Sequence, residues 1–423
     1  MEYLFSHQVD ENLTVRQNFR YSHVDVGQGA LWPSGLGDDD RTLSRYSYGD
    51  TEHNDAAGVD TQVELKASTG PLSHTLLVGV DYFHYHWDQV SSFGFSGIPG
   101  IDVFSPTYGY AVSDPPVGYS ALTTIEQVGI YAQDQIRWDK WVLMISGRQD
   151  WANGSYNDRL AETTTTQADH AFTWRVGLVY TADNGLAPYA SYAKSFNPTT
   201  AEASGTDYAG NPFKPTTAQQ YEVGVKYQPP GMNSFITVAG YQLTEQNVTT
   251  TDPLHPNFDI QAGEIRSRGA EVTAVASLAA GLDLTAAYSY TDNVVTESSN
   301  QDSAFGIEAG NTPPNVPAHM ASLWADYTFQ NGPLTGFGLA GGVRYVGARQ
   351  GDQLDSFQVP SYTLGDAAIH YDLGALVPDL IGAKLALNVS NLFDKEYIAY
   401  CYTVNYCSFG PRRTVTATLK YQW

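Results

Sequence analysis

Apolar and polar residues alternate one for one in stretch after stretch of this chain. In QYEVGVKYQ, Tyr221, Val223, Val225 and Tyr227 share one side, and Glu222, Gly224, Lys226 and Gln228 share the other. In LDLTAAYSYTD, Leu282, Leu284, Ala286, Tyr288 and Tyr290 oppose Asp283, Thr285, Ala287, Ser289 and Thr291. In KLALNVSN, Leu385, Leu387 and Val389 oppose Lys384, Asn388 and Ser390. A period of two belongs to strands with one apolar face. No comparable period of 3.6 residues appears, so the chain reads as all-β.

The connections between these strands alternate too. Short polar turns are expected at DE (10–11), GPLS (70–73), DK (139–140), DNG (183–185), PPGM (229–232) and NGPLTG (331–336). Between them lie stretches rich in Gly, Pro, Ser and Asp, which read as long loops: 29–40, 93–120, 154–169, 198–216 and 297–316. Short turns at one rim and long loops at the other describe a transmembrane antiparallel β-barrel. The reading gives about 17 strands, many longer than the ~9–11 residues that cross a bilayer. A β-propeller, the soluble rival, would repeat a four-strand blade motif, and none repeats here.

Composition fits the barrel. Charged residues make up 16% of the 423 residues, against about 25% in soluble domains, while 29 Tyr and 39 Gly are present. No apolar run reaches the ~18 residues of a membrane-spanning helix, and alternation keeps the average polar even in a membrane barrel. A net charge of −23 argues against nucleic acid as a partner. The acidic residues read as solubilising loop charge. A divalent-cation site at Asp38, Asp39 and Asp40 is the other reading of that run. The ten His are scattered without metal-ligand spacing, and no metal site is assigned. There is no HExxH, GxSxG or P-loop, hence no catalytic residue and no expected enzyme activity.

The last strand, RRTVTATLKYQW, places Val415, Ala417, Leu419, Tyr421 and Trp423 on one side. An apolar alternation ending on a terminal aromatic resembles the C-terminal signal of outer-membrane proteins, with Val415, Leu419, Tyr421 and Trp423 as its residues. Five further segments resemble TonB-dependent siderophore receptors: YASYAKSFNP (189–198), YEVGVKY (221–227), GEIRSRGAEVT (263–273), HMASLWADYTF (319–329) and NLFDKEY (391–397). Within that family the chain is most similar to ferrichrome–iron (hydroxamate) receptors, through its last third and CYTVNYC at 401–407. The resemblance implies a 22-stranded outer-membrane barrel closed by an N-terminal plug, which binds a ferric siderophore and is opened by TonB. Iron enters only as part of the ligand, so no cofactor of the protein itself is implied. The implied partners are the siderophore, outer-membrane lipid and, through a plug, the TonB complex. A passive porin and receptors for a catecholate, cobalamin or haem are the alternatives.

The resemblance also places a disulfide between Cys401 and Cys407, the only two cysteines. An oxidising compartment agrees with it, and the seven-residue loop limits its stabilisation to roughly 2 kcal/mol. A metal site there lacks two further ligands. Such a bond would hold Tyr402, Tyr406 and Phe409 at the barrel mouth. The stretch 91–124 contains Phe93 and Phe95 but no Lys or Arg, and 29–40, 297–316 and 398–411 also lack them. A triply anionic catecholate complex calls for cations. A nearly neutral hydroxamate complex suits aromatic walls. Phe93, Phe95, Tyr402, Tyr406 and Phe409 are the candidate ligand residues, with Phe93 and Tyr402 matching ligand-facing aromatics of ferrichrome receptors.

Residues 1–423 are therefore expected to form the C-terminal part of a receptor barrel, about 17 of 22 strands, without the plug. The N-terminus MEYLFSHQVDENLTVRQ shows no leader pattern. The first and last strands, followed from turn to turn, both run from outside to inside. They could meet only as a parallel pair, so an open or strained seam is expected between 3–9 and 412–423.

Overall fold

The computed structural model describes residues 1–199, 207–208, 213–251, 259–298, 308–403 and 406–422. Among them, eighteen strands are assigned to one sheet. One is the two-residue Ile101–Asp102; the other seventeen have seven to 28 residues and are the number expected from the alternation. Every register described is antiparallel. No α-helix occurs among the described residues; two single 3₁₀ turns lie at 373–375 and 378–380.

The chain divides into two compact units. The first, Met1–Asp134 with Ser146–Trp174 and Phe196–Pro215, is built on β1 (Glu2–Gln8), β2 (Leu13–Leu36), β3 (Thr42–Thr69) and β4 (Leu72–Gly94). Four strands contribute residues to both units: β5 (Val117–Trp138), β6 (Trp141–Asp158), β7 (Thr163–Tyr180) and β8 (Leu186–Asn197). The second unit continues with β9 (Thr216–Tyr227), β10 (Ser234–Thr251), β11 (Asp259–Ala279), β12 (Leu282–Glu297) and β13 (His319–Thr328). It ends with β14 (Phe337–Val346), β15 (Tyr362–Asp372), β16 (Ala383–Ser390) and β17 (Thr414–Tyr421). From β9 to β17 each strand pairs with the next.

The two faces of these ladders differ chemically. Val63 faces Val78 across β3 and β4, beside Leu65 and Val80, and all four are exposed. The other face of the same strands carries Asp60, Gln62, Glu64 and Asp81. There Tyr131 donates to Asp60 (2.6 Å), Arg16 reaches Glu64 (2.8 Å), and Arg148 is shared between Asp81 and Asp150. In the second unit Tyr221, Val223, Val225 and Val238 are exposed, while Glu222 on the opposite face accepts from Tyr189 (2.7 Å). A sheet that turns its apolar face outward and pairs its charges on the other face is built for lipid.

The short turns fall where the sequence placed them. Asp10 caps the first through Asn12 N and Leu13 N. Gly185 (φ +87) closes the 183–185 turn, where a Cβ would lie 1.9 Å from Gln228 O, so only glycine fits.

Two stretches read as loops are largely strand. Residues 29–36 belong to β2 and pair with β3 from Gly29↔Gly49 to Leu36↔Leu43, with one register shift between Pro33 and Gly35. The real turn is 37–41, where Asp39 accepts from Arg41 N, Thr42 N and the Thr42 hydroxyl. Those bonds hold the Asp39 carboxyl at about 2, below the usual carboxylate range. Its oxygens serve the turn. Likewise 154–158 and 163–169 are strand, and only Arg159–Glu162 connects them, capped by Asp158. Glycine and polar residues lower local strand propensity, but cross-strand partners decide.

Within its unit β1 pairs on one side, with β2, and β17 pairs with β16. Along their length all seven residues of β1 and all eight of β17 are exposed.

Candidate functional site

In the first unit the upper ends of β3 and β4 carry an aromatic series. Phe93 pairs with Tyr48, and their rings lie 5.4 Å apart; Trp32 of β2 lies 5.5 Å from Tyr48 on the other side. Parity places Trp32, Tyr48 and Phe93 on the same face as Asp50, Asp60 and Glu64, opposite the apolar outer face. Phe93 is half-buried. Its amide donates to Pro116 O (3.0 Å), and its ring lies over Gly118, where a Cβ would come within 2.8 Å. Phe95 sits just past the end of β4, stacked on Tyr46 at 5.2 Å but 75% exposed.

Below the aromatics the same face is acidic. Asp50 is buried and accepts from Ser91 Oγ (2.6 Å) and Gln89 Nε2 (3.2 Å). Glu52 accepts from Trp87 Nε1 (3.0 Å), and Tyr85 donates to Asn54 (2.8 Å). The arginines that flank these loops are engaged. Arg41 pairs with Asp102 at 2.5 Å and holds that carboxyl below the usual range; Arg45 donates twice to Pro99 O.

The second unit holds the cysteine hairpin. Ile398–Thr403 pairs with Tyr406–Phe409, Cys401 opposite Cys407, and the two are joined by a disulfide. Side chains from two distant loops hold this hairpin. Asn315 donates to Cys401 O (2.7 Å) and accepts from Cys401 N (3.0 Å). Arg349, 5% exposed, donates to Ile398 O (3.0 Å) and to Ala399 O and lies 5.6 Å over the Tyr362 ring. Burial lowers the Arg349 pKa below its ordinary value. Gly410 packs under Tyr397, where a Cβ would meet the ring.

NLFDKEY proves to be a brace at the base of this hairpin. The buried Asn391 amide donates to Lys395 O and Pro411 O. Asp394 takes a two-pronged contact from Arg412 (2.9 and 2.7 Å) and the Arg413 amide, and is held well below the usual carboxylate range.

Of the five candidate ligand residues, Phe93 and Phe95 belong to the first unit. Phe409, 75% exposed, belongs to the second. The side chains of Tyr402 and Tyr406 lie outside the described residues, as does Trp423. Val415, Leu419 and Tyr421 share one face of β17 and are exposed, as are the residues on its other face. Among the described residues no three His, Cys, Asp or Glu converge on a metal position. Trp32, Tyr46 and Tyr48 were not identified from sequence. Their signal was parity: once 29–36 is strand, Trp32 falls opposite Tyr46 and next to Tyr48.

Comparison with known proteins gives a consistent result. The family model "TonB dependent receptor-like, beta-barrel" matches residues 1–392. The chain is 38% identical over 444 residues to the "Ferrichrome outer membrane transporter/phage receptor" of Escherichia coli K12, covering 100% of this chain and 58% of the relative. It is 36% identical over 421 residues to the "Ferrioxamine B receptor" of Salmonella typhimurium LT2, covering 99% and 57%. Among solved structures, the siderophore receptor PiuA of Acinetobacter baumannii superimposes with a TM-score of 0.84 at 22% identity, covering 99% of this chain and 63% of that one. The chain thus spans rather more than half the length of the curated relatives it matches, and those relatives are receptors and a transporter rather than enzymes. This chain belongs to the TonB-dependent receptor β-barrel family, and its place is the outer membrane.

Proposed function

We propose that the protein to which this chain belongs is an outer-membrane receptor and transporter for a ferric hydroxamate siderophore, energised through TonB in the full-length protein. One observation carries the choice of ligand. The wall formed by Trp32, Tyr48 and Phe93 is aromatic, and the side chains beneath it, Asp50 and Glu52, are acids. Arg41 and Arg45, the cations flanking these loops, are tied to Asp102 and Pro99. A triply anionic catecholate complex meets repulsion there. A neutral hydroxamate complex meets polarisable rings. The ferrichrome and ferrioxamine names of the relatives support the same class.

The test is a fluorescence titration of the full-length receptor with ferrichrome, ferrioxamine B, a ferric catecholate and cobalamin. The expected result is hydroxamate affinity at least about tenfold tighter, or ~1.4 kcal/mol. Tighter binding of the catecholate or cobalamin overturns the reading.

A further inference from the structure

The connection between β15 and β16 exposes more apolar surface than the other short-rim turns. The turns at 10–11, 139–140 and 183–185 are polar, and those at 229–232 and 331–336 each expose one large apolar side chain, Met232 and Leu334. Residues 373–382 instead read LGALVPDLIG, with Leu376, Val377, Leu380 and Ile381 all exposed, Ile381 at 71%. Four exposed large apolar side chains in one turn are costly in water.

Its backbone is prepared for a medium without water. The amides of Leu376 and Val377 donate to Leu373 O, that of Leu380 to Val377 O, and that of Ile381 to Pro378 O. Asp372 caps Gly374 N. Each of the four exposed apolar residues thus has its own N–H bonded within the turn. Bilayer hydrocarbon demands this, whereas water does not.

The turn also folds back onto the lipid-facing side. Leu376 joins Leu334, Phe337, Ile369, Leu385 and Leu387 in lining an apolar groove of about 440 Å³. Ile369 pairs with Leu387, and Leu385 with Leu419, so the groove floor continues the outward apolar face as far as β17. Tyr327, Phe329, Phe337 and Tyr371 form a chain of ring contacts at this end of the strands, the aromatic girdle that marks a membrane boundary.

We propose that residues 373–382 seat in the periplasmic leaflet and that the groove beneath Leu376 holds one acyl chain of a phospholipid. Continuity with the lipid-facing face selects the occupant: a wall of alkyl and ring carbons suits a hydrocarbon chain. This proposal rests on the membrane placement and is independent of which siderophore is bound.

The test uses the whole chain in nanodiscs of phosphatidylethanolamine and phosphatidylglycerol. A single thiol is introduced by Ile381→Cys, or by Asn184→Cys as the reference in a polar turn, and labelled with an environment-sensitive fluorophore. The native cysteines are already paired. Nitroxide-bearing phospholipid is expected to quench the probe at 381 several-fold more than at 184, and iodide the reverse. Native mass spectrometry is expected to find one phospholipid retained by the parent and by Asp379→Asn, and lost in Leu376→Glu with unchanged circular dichroism. Equal iodide quenching at the two positions overturns the proposal. So does shielding at 381 that appears only as protein concentration rises in lipid-free micelles, which would mean a second copy covers the turn. Equal phospholipid retention by Leu376→Glu overturns the acyl-chain assignment.

Discussion

Phe93 and the Cys401–Cys407 hairpin were both candidate parts of a binding mouth, and they are held in opposite ways. Phe93 rides on a ladder. Its place follows from a β3–β4 register that runs from Ser47↔Gly94 to Thr69↔Leu72 without a shift. The hairpin belongs to no large sheet. It is held by a covalent bond, by Asn315 gripping Cys401 from 86 residues away, and by Arg349 on the carbonyls of 398 and 399. Backbone pairing spreads positioning over many weak contacts, whereas a side-chain clamp concentrates it in a few buried polar groups. The first should tolerate substitution nearby, and the second should not.

The largest effect should come from the wall itself. Phe93→Ala is expected to weaken ferrichrome binding by on the order of 2 kcal/mol, about thirtyfold. Phe95→Ala, at a mostly exposed ring, should cost less than about 1 kcal/mol. Titration of both variants checks the ranking, and equal losses would erase the distinction between an anchored and a free ring. Next comes the clamp. Asn315→Ala strands the amide and carbonyl of buried Cys401 and should loosen the hairpin by about 2 kcal/mol. Hydrogen exchange should show faster exchange at Cys401 with no change at Phe93. A change at both would mean the two regions are not separately held. Reduction of the disulfide should cost at most about 2 kcal/mol, and less than the same reduction in Asn315→Ala, because either tie can hold the hairpin. Exchange at Cys401 in the four combinations measures that coupling.

The smallest effect is a pH dependence at the 37–41 turn. Asp39 is held at about 2 in the fold, below its unfolded value near 3.9. A depressed pKa gives stabilisation that is complete above the unfolded value and is lost as pH falls through the folded one. Thr42 amide protection should therefore stay level from pH 7 to about 4 and fall away towards about 2. Loss beginning near pH 6 would point to a histidine instead.

What could be read in the sequence follows the same division. Alternation is local, so most strands, their number and the short turns were legible. The disulfide was legible through resemblance. Residues 29–36 were not, because Gly29, Pro33, Ser34 and Gly35 look like a loop until Tyr46 and Tyr48 are known to lie beside them. Asn315 and Arg349 could not be found either. No periodicity marks a side chain whose partners are backbone groups dozens of residues away. The 373–382 turn was not identified from sequence either, because its apolar residues gain meaning only once their amides are seen to be satisfied internally.

The unshifted β3–β4 ladder has a genetic corollary. Across residues 60–65 each codon specifies either the polar or the lipid-facing side, and the assignment alternates along the gene. Losing one codon from the middle exchanges the two sides for everything between the lesion and the nearer end, turning carboxylates towards hydrocarbon. Losing two adjacent codons shortens the wall and leaves both sides in order. In-frame deletions that survive selection in this strand should therefore come in even numbers of residues, while those at its hairpin tip need not.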